Sequence, residues 1–281
     1  MVAFSLGSLH IYRYGIFYVI AFLVGYIFFH RITKKKIFGK QFPHLQTFLE
    51  KHTDDVMICI FLGVLIWWRL GHIIIYDFSY YLQHPIEMFQ VRKGGMSFIW
   101  GMIGVTLSLF IFAWVKHLKR RELLLLGDMI FAILPFGIML GRIGNFLNQE
   151  LYGITAAEVL WKFGYIVSSL FHQWGLYHIY PQVDTMLRVN TNFLSSFFEG
   201  FILLVITLLV IRTRVRRKIV QPGKIVGIFL IAYSFIRFLL EYLRADSQLE
   251  FHGRFTISQW FFAVFFLLGV VLMMQTRKLK Y

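Results

Sequence analysis

Residues 123–140 read "LLLLGDMIFAILPFGIML", eighteen positions that carry one charge, Asp128. A helix of about 20 apolar residues spans the hydrocarbon of a bilayer. Inside lipid the backbone can satisfy its own polar groups only as helices or closed barrels. Comparable runs recur along the chain, at about 15–30, 56–76, 96–115, 123–147, 194–211, 225–243 and 256–275. With 58% hydrophobic residues against the roughly 45–50% of soluble domains, the expectation is an all-α polytopic membrane protein. Seven transmembrane helices would form a single domain over 1–281.

The charge of +15 is distributed by topology. Segments joining alternate ends of the spans, "RITKKKIFGK…EK", "KHLKRR", "RTRVRRKIVQPGK" and the tail "RKLK", hold 19 of the 29 Lys and Arg residues. The opposite side holds Arg13, Arg92, Lys93, Lys162, Arg188, Arg244 and Arg254. Basic short loops stay cytoplasmic, so the N-terminus is expected outside and the C-terminus in the cytoplasm. The basic clusters then face anionic membrane lipids, not nucleic acid. On this reading the interruption at 148–193 is a small extracytoplasmic helical head, with "AAEVLWKFGYIVSSLF" and "HQWGLYHIY" as short interfacial helices. No cleavable signal peptide is expected, because no basic n-region precedes the first apolar run. Cys59 is the sole cysteine, so neither an internal disulfide nor a cysteine-based zinc cluster can form.

Three polar stripes interrupt the apolar faces. Arg142, Asn145 and Asn148 recur every third residue, beside Gly137, Gly141 and Gly144, where a neighbouring helix can approach. Arg237, Glu241 and Arg244 share a second face, and Arg69, His72 and Tyr76 a third. Each stripe alone is explained by internal pairing, as of Glu241 with Arg237, and by snorkelling to the interface. Taken together they leave more intramembrane arginines than carboxylates, counting Asp128 and Glu241 as the acids well inside spans. Such a surplus calls for an anion from elsewhere. The planar guanidinium fork suits phosphate, which makes a phospholipid headgroup the expected ligand.

"GRIGNFLNQELYG", residues 141–153, resembles the signature G-R-x-G-N-F-x-N-x-E-x-x-G of the bacterial prolipoprotein diacylglyceryl transferases. Similar family segments follow in order: "RYGIFYVIAF" with Tyr14 and Gly15, "RLGHIIIYDF", "GGMSF", "GMIGV", and "FIRFLLEYLRAD" for F-R-x-x-x-E-x-x-R. The resemblance implies transfer of the diacylglyceryl group of phosphatidylglycerol to the lipobox cysteine of a preprolipoprotein signal peptide, in the bacterial cytoplasmic (inner) membrane. It releases glycerol phosphate and uses no metal or organic cofactor. It further implies that Arg142 and Arg237 hold the phosphate with Arg244 supporting them, and that Asn145, Glu150 and Tyr14 position the headgroup. Asn148, Gly153, Glu241 and Arg69 join the substrate site, and His72 or Glu150 assists the thiol's deprotonation.

Two segments depart from the family pattern. Its H-G-G after "GGMSF" reads Ile99, Trp100 and Gly101 here, and isoleucine cannot take a proton. Its R-H-P-S-Q-L-Y-E reads "RVNTNFLS", keeping Arg188 but placing Val189, Asn190, Asn192, Leu194 and Ser195 at the His, Pro, Gln, Tyr and Glu positions. Two alternatives therefore stay open beside a working transferase. One is a retargeted or inactive relative that binds phosphatidylglycerol but uses another acceptor or none. The other, more remote, is a transporter.

Overall fold

The computed structural model describes residues 2–6, 9–38, 41–75, 78–84, 98–217, 219–249, 251–252, 255–276 and 279–280. The chain forms two compact units, residues 29–123 and the remainder. A hairpin of β1 (Val2–Leu6) and β2 (Leu9–Tyr12) precedes α1 (Arg13–Lys34). Then come α2 (Pro43–Ile75), α3 (Phe78–Gln83), α4 (Phe98–Val115), α5 (Arg120–Leu147) and α6 (Ala156–Gln173). The second half has a hairpin of β3 (Tyr177–Ile179) and β4 (Leu187–Val189), then α7 (Thr191–Ser195) and a π-helical segment, Ser196–Ile202. It ends with α8 (Leu203–Arg217), α9 (Lys224–Leu240) and α10 (Ile257–Gln275). Among the described residues five helical stretches are long and apolar enough to cross a membrane: Gly15–Lys34, Arg120–Leu147, Thr191–Arg216, Lys224–Leu243 and Ile257–Gln275.

In the unit of residues 29–123, α2 packs along α4. It starts well before the apolar run at 56 and kinks at His52 (φ −127°); Leu45, Phe48 and Leu49 bury one face of the polar stretch before the kink, and Thr53 and Val56 are buried just after it. Gly63 lets the two helices close: a Cβ there would lie 3.0 Å from the Ser108 hydroxyl. Arg69 is buried in this unit, donating to the Tyr81 hydroxyl at 3.2 Å with its guanidinium 5.1 Å from that ring's centre.

In the other unit α9 packs against α10 and the 191–217 helix, around Ile138, Leu203, Phe229, Tyr233 and Phe262. α5 runs unbroken through Pro135. Near its start, Asp128 reaches the first turn of α9 and accepts from the backbone N–H groups of Gly223 (3.0 Å), Ile225 (2.8 Å) and Val226 (3.0 Å). These are the orphan donors that every helix leaves at its N-terminus. Arg214 of α8 stands 3.5 Å from the same carboxylate.

Residues 148–193 are partly helical. The capping box of Thr155 and Glu158 starts α6, and Gly164, at φ +81°, breaks it midway. The segment "HQWGLYHIY" corrects the helical expectation: Gly175 adopts φ +63° and ends α6, and Tyr177–Ile179 continue as strand β3. The underside of α6 packs Val159, Val167 and Phe171 with Ile154, Leu176, Val189, Leu194 and Leu240, while Trp161, Tyr165, Ile166 and Trp174 stand exposed.

Candidate active site

The signature begins where α5 ends. Gln149 takes φ +59°, its N–H bonds the Phe146 carbonyl (3.0 Å), and the Glu150 N–H bonds the Asn145 carbonyl (2.9 Å). This is a Schellman termination with glutamine at the left-handed position usually held by glycine. Leu151 is also left-handed, at φ +53°. Each such residue costs about 1–2 kcal/mol, so the turn around Glu150 persists only because its surroundings over-determine it.

Those surroundings come from "RVNTNFLS". The Asn192 amide donates to the Glu150 carbonyl and the Thr191 hydroxyl to that of Leu151, each at 2.7 Å. Asn190 caps α7, accepting from the Phe193 N–H at 2.9 Å. The Arg188 guanidinium lies 4.9 Å from the centre of the Tyr152 ring, donates to the Gly153 carbonyl at 3.3 Å and pairs with Asp184. The signature loop is therefore held both by a residue kept from the family pattern, Arg188, and by one that departs from it, Asn192.

Gly153 has a packing reason to be glycine. Its N–H bonds the Val189 carbonyl and the Ile154 N–H bonds the Leu243 carbonyl, both at 2.9 Å. A Cβ at 153 would fall 2.6 Å from the Val189 oxygen and 2.8 Å from that of Leu243.

Two of the polar stripes meet here. Arg142 on α5 and Arg237 on α9 face one carboxylate, Glu199, which is 0% exposed. Arg142 Nη2 lies 3.4 Å from Glu199 Oε2, and Arg237 Nη1 lies 3.6 Å from Oε1. The second distance exceeds hydrogen-bond range, and neither Arg237 Nη1 nor Glu199 Oε1 has a hydrogen-bond partner among the described residues. Arg237 also pairs with Glu241 at 3.1 Å and lies over the Phe262 ring at 5.8 Å. The Ser247 hydroxyl donates to Glu241 at 2.7 Å. Arg244 interacts electrostatically with both Arg142 and Arg237 and is bonded to Asp246. Burial raises the Asp246 pKa, but the Arg244 hydrogen bond and the charges of Arg244 and Arg237 more than offset this, so it stays an anion.

Glu199 corrects the count of acids inside spans, which had stopped at Asp128 and Glu241. Its neighbours three and four residues away, Ser195, Ser196, Ile202 and Leu203, carry no charge, so no charged stripe marks it in the sequence. It reaches its partners because Ser196–Ile202 is wound as a π-helix whose Gly200 is pressed onto Met139, where a Cβ would meet Met139 Cβ at 2.6 Å. Such wide turns recur at functional sites. The surplus of buried cations was the available clue.

Of the other expected site residues, Asn145 is buried and its amide lies 3.4 Å from the Glu150 carboxylate. Asn148 follows at the end of α5, its N–H bonded to the Gly144 carbonyl at 3.0 Å. Arg69 belongs to the 29–123 unit. The side chains of Tyr14, His72, Ile99 and Trp100 lie outside the described residues, as does Tyr76. Tyr180, overlooked in the sequence, is fully buried beside the loop. Burial pushes its phenol up to about 12, which excludes it as a base near neutrality. His178 is exposed, 4.9 Å from the Phe146 ring between centroids.

Convergent arginines at the end of an apolar helix, with donors left over, can hold a phosphate and stabilise it as a leaving group. Comparison with known proteins points the same way. The family model for prolipoprotein diacylglyceryl transferase matches residues 1–275. A phosphatidylglycerol–prolipoprotein diacylglyceryl transferase of Pseudoalteromonas translucida is 31% identical over 90% of this chain and 84% of its own. Proteins of the same description from Idiomarina loihiensis and Burkholderia pseudomallei are 30% and 32% identical, each over 97% of this chain and 91% and 93% of theirs. With the match running nearly end to end and the signature arginines brought to one buried carboxylate, this chain belongs to the prolipoprotein diacylglyceryl transferase family.

Proposed function

We propose that the protein transfers the diacylglyceryl group of phosphatidylglycerol to the thiol of a prolipoprotein's lipobox cysteine. The carrying observation is the meeting of Arg142 and Arg237 at Glu199 at the end of the signature helix, with Arg244 close enough to interact with both arginines. In the reaction sulfur bonds to the glyceryl carbon, and the bond from that carbon to the phosphate oxygen breaks. The electron pair stays on the oxygen, glycerol phosphate departs, and the thiol proton passes to solvent. Arg142 and Arg237 hold the phosphate through the donors they do not spend on Glu199, and Arg244 supports them. Asn145 and Glu150 position the headgroup, with Gly153 and Glu241 fixing the frame around it. Tyr14, Asn148, Arg69 and His72 are further contributors on the strength of the family pattern. With Ile99 where the family has histidine, the thiolate is favoured locally by directed guanidinium donors, with His72 or Glu150 assisting: a cysteine of pKa about 8.5 needs only about 2 kcal/mol of help to be largely ionised at neutral pH.

The setting is a multi-pass protein of the bacterial inner membrane. Its seven spans include α2 and α4 beside the five stretches above, its N-terminus is outside, and residues 148–193 form an extracytoplasmic head. The distribution of Lys and Arg supports this orientation. Relatives that carry the transferase description along nearly their whole length favour it over a retargeted acceptor.

The test is thioether formation by the purified protein on a lipobox peptide in phosphatidylglycerol vesicles, with complementation of a strain depleted of its own transferase. A protein that binds phosphatidylglycerol yet modifies no cysteine in either assay would overturn the assignment. External protease should cut within 148–193 and spare "RTRVRRK". Cleavage at the latter in intact, wall-stripped cells would reverse the orientation.

A further inference from the structure

We infer that Glu199 is a fixed countercharge whose task is product release: it holds the arginine cluster near neutrality, so that the site lets go of a phosphate carrying more charge than the one it bound. The inference rests on the transferase reading above. Three observations carry it. Glu199 is wholly buried and lies between arginines of two other helices. Its contacts are loose, and one of its oxygens has no hydrogen-bond partner. The formal charges of Arg142, Arg237, Glu199 and Glu241 cancel, as do those of Arg244 and Asp246.

A carboxylate meant only to cement two helices would gain most from short, saturated contacts, as Asp128 has with three backbone N–H groups. Glu199 instead neutralises its arginines while taking one long hydrogen bond, from Arg142 at 3.4 Å, and leaving Arg237 Nη1 idle. That matters because the reaction changes the charge in the site. The phosphodiester of phosphatidylglycerol carries one negative charge. The departing phosphomonoester, with its second pKa near about 6, carries nearly two at neutral pH. A strongly cationic pocket would bind the product more tightly than the substrate and stall. A neutral pocket with directed N–H donors recognises phosphate by geometry and gains little from the second charge.

Glu199→Gln keeps the shape and deletes the charge. The added unit of positive charge should tighten binding of a monoanion by about tenfold, and of a dianion by roughly the square of that. In steady state both KM and kcat should fall, with a first-turnover burst that the parent lacks. Glu199→Asp retains the charge and should hold product affinity within about twofold of the parent.

The experiment titrates glycerol phosphate and glycerophosphoglycerol, the deacylated diester, against the full-length detergent-solubilised parent and both variants, and follows inhibition of transfer by glycerol phosphate. The parent should bind monoester and diester within about threefold of each other, a measurement that needs no variant to fold. A parent that holds the monoester more than tenfold tighter than the diester would overturn the inference. So would a Glu199→Gln protein with unchanged product affinity, or a Glu199→Asp protein that tightens as much as Glu199→Gln. Because binding is read without turnover, a parent that shows this pattern yet transfers nothing refutes the transferase reading and leaves the countercharge intact.

Discussion

α5 carries a buried charge cluster near each end, and the two are built differently. Near its start Asp128 spends both oxygens on backbone N–H groups at the head of α9, with Arg214 alongside, its Nε and Nη2 without a hydrogen-bond partner among the described residues. Near its finish Arg142 shares Glu199 with Arg237 at 3.4 and 3.6 Å, and polar atoms are left over on both sides. A buried ion that is fully bonded contributes to stability, because what it bonds would otherwise be orphaned. Idle donors occur at both ends, on Arg214 as on Arg237; what differs is the acid, which at the far end is shared loosely by two arginines that converge on it and so keep capacity for a ligand. The contrast separates structure from function along one helix, without appeal to how polar either end looks in the sequence.

The most severe way to break the contrast is Arg142→Ala. It should cost transfer at least about 10²–10³-fold through lost stabilisation of the leaving phosphate. Lysine should restore little, because a point charge cannot reproduce the fork. Arg237→Ala should behave alike, with Glu241→Gln milder. Near-parental turnover in Arg142→Ala would remove the phosphate assignment.

At the other end, Asp128→Ala should lower stability by about 2–4 kcal/mol, since three N–H groups and Arg214 lose their acceptor. The fraction that folds should bind glycerol phosphate as the parent does. Altered phosphate affinity with an unchanged melting temperature would erase the distinction between the two ends.

Gly153→Ala probes the frame instead of the charge. The new methyl group meets two carbonyl oxygens at under 3 Å, so backbone must move. The expected loss is about 1–3 kcal/mol, with activity falling as the loop shifts. A thermal melt that matches the parent would show that the loop has slack.

The smallest effect lies between strands β3 and β4, at Asp184. Hydrogen bonds from Arg188 hold its carboxyl below the usual range of about 4. A folded pKa lowered in this way stabilises the hairpin above the unfolded value, and the contribution is lost as pH falls through the folded value. Asp184→Asn should flatten the acid limb of local stability, read by hydrogen exchange in the 177–189 hairpin. An unaltered acid limb would mean that the pair is solvent-screened.

The apolar runs and both signature arginines were legible in the sequence because length and motif spacing are local properties. Glu199 was not. Its significance comes from α5 and α9, and within 191–217 it is one acid beside Phe197, Phe198 and Phe201. The run at 56–76 lies in α2 after the kink at His52; the stretch before the kink is amphipathic, with Leu45, Phe48 and Leu49 buried on one face, and an apolar-run criterion passes over it. "RVNTNFLS" read as an eroded site, yet Thr191 and Asn192 bond the signature loop. Hydrogen bonds spanning about forty residues leave no periodic trace. Strand β3 was missed because the left-handed turn at Gly175 decides between helix and strand, and composition does not.

The lip around Gly153 also has a consequence for how the enzyme is made. Residues 153–154 pair with 189 on one side and with 243 on the other. Between the last two, the chain lays down two helices long enough to cross a membrane, Thr191–Arg216 and Lys224–Leu243. Synthesis runs from N- to C-terminus, so the third segment of the lip is delivered only after both have been placed, and Arg237 and Arg244 arrive with it. A nascent chain released or stalled before residue 237 holds Arg142 and Glu199 but neither of the other arginines. The arginine cluster is therefore completed late, and a product truncated before residue 237 carries the signature motif without Arg237 and Arg244.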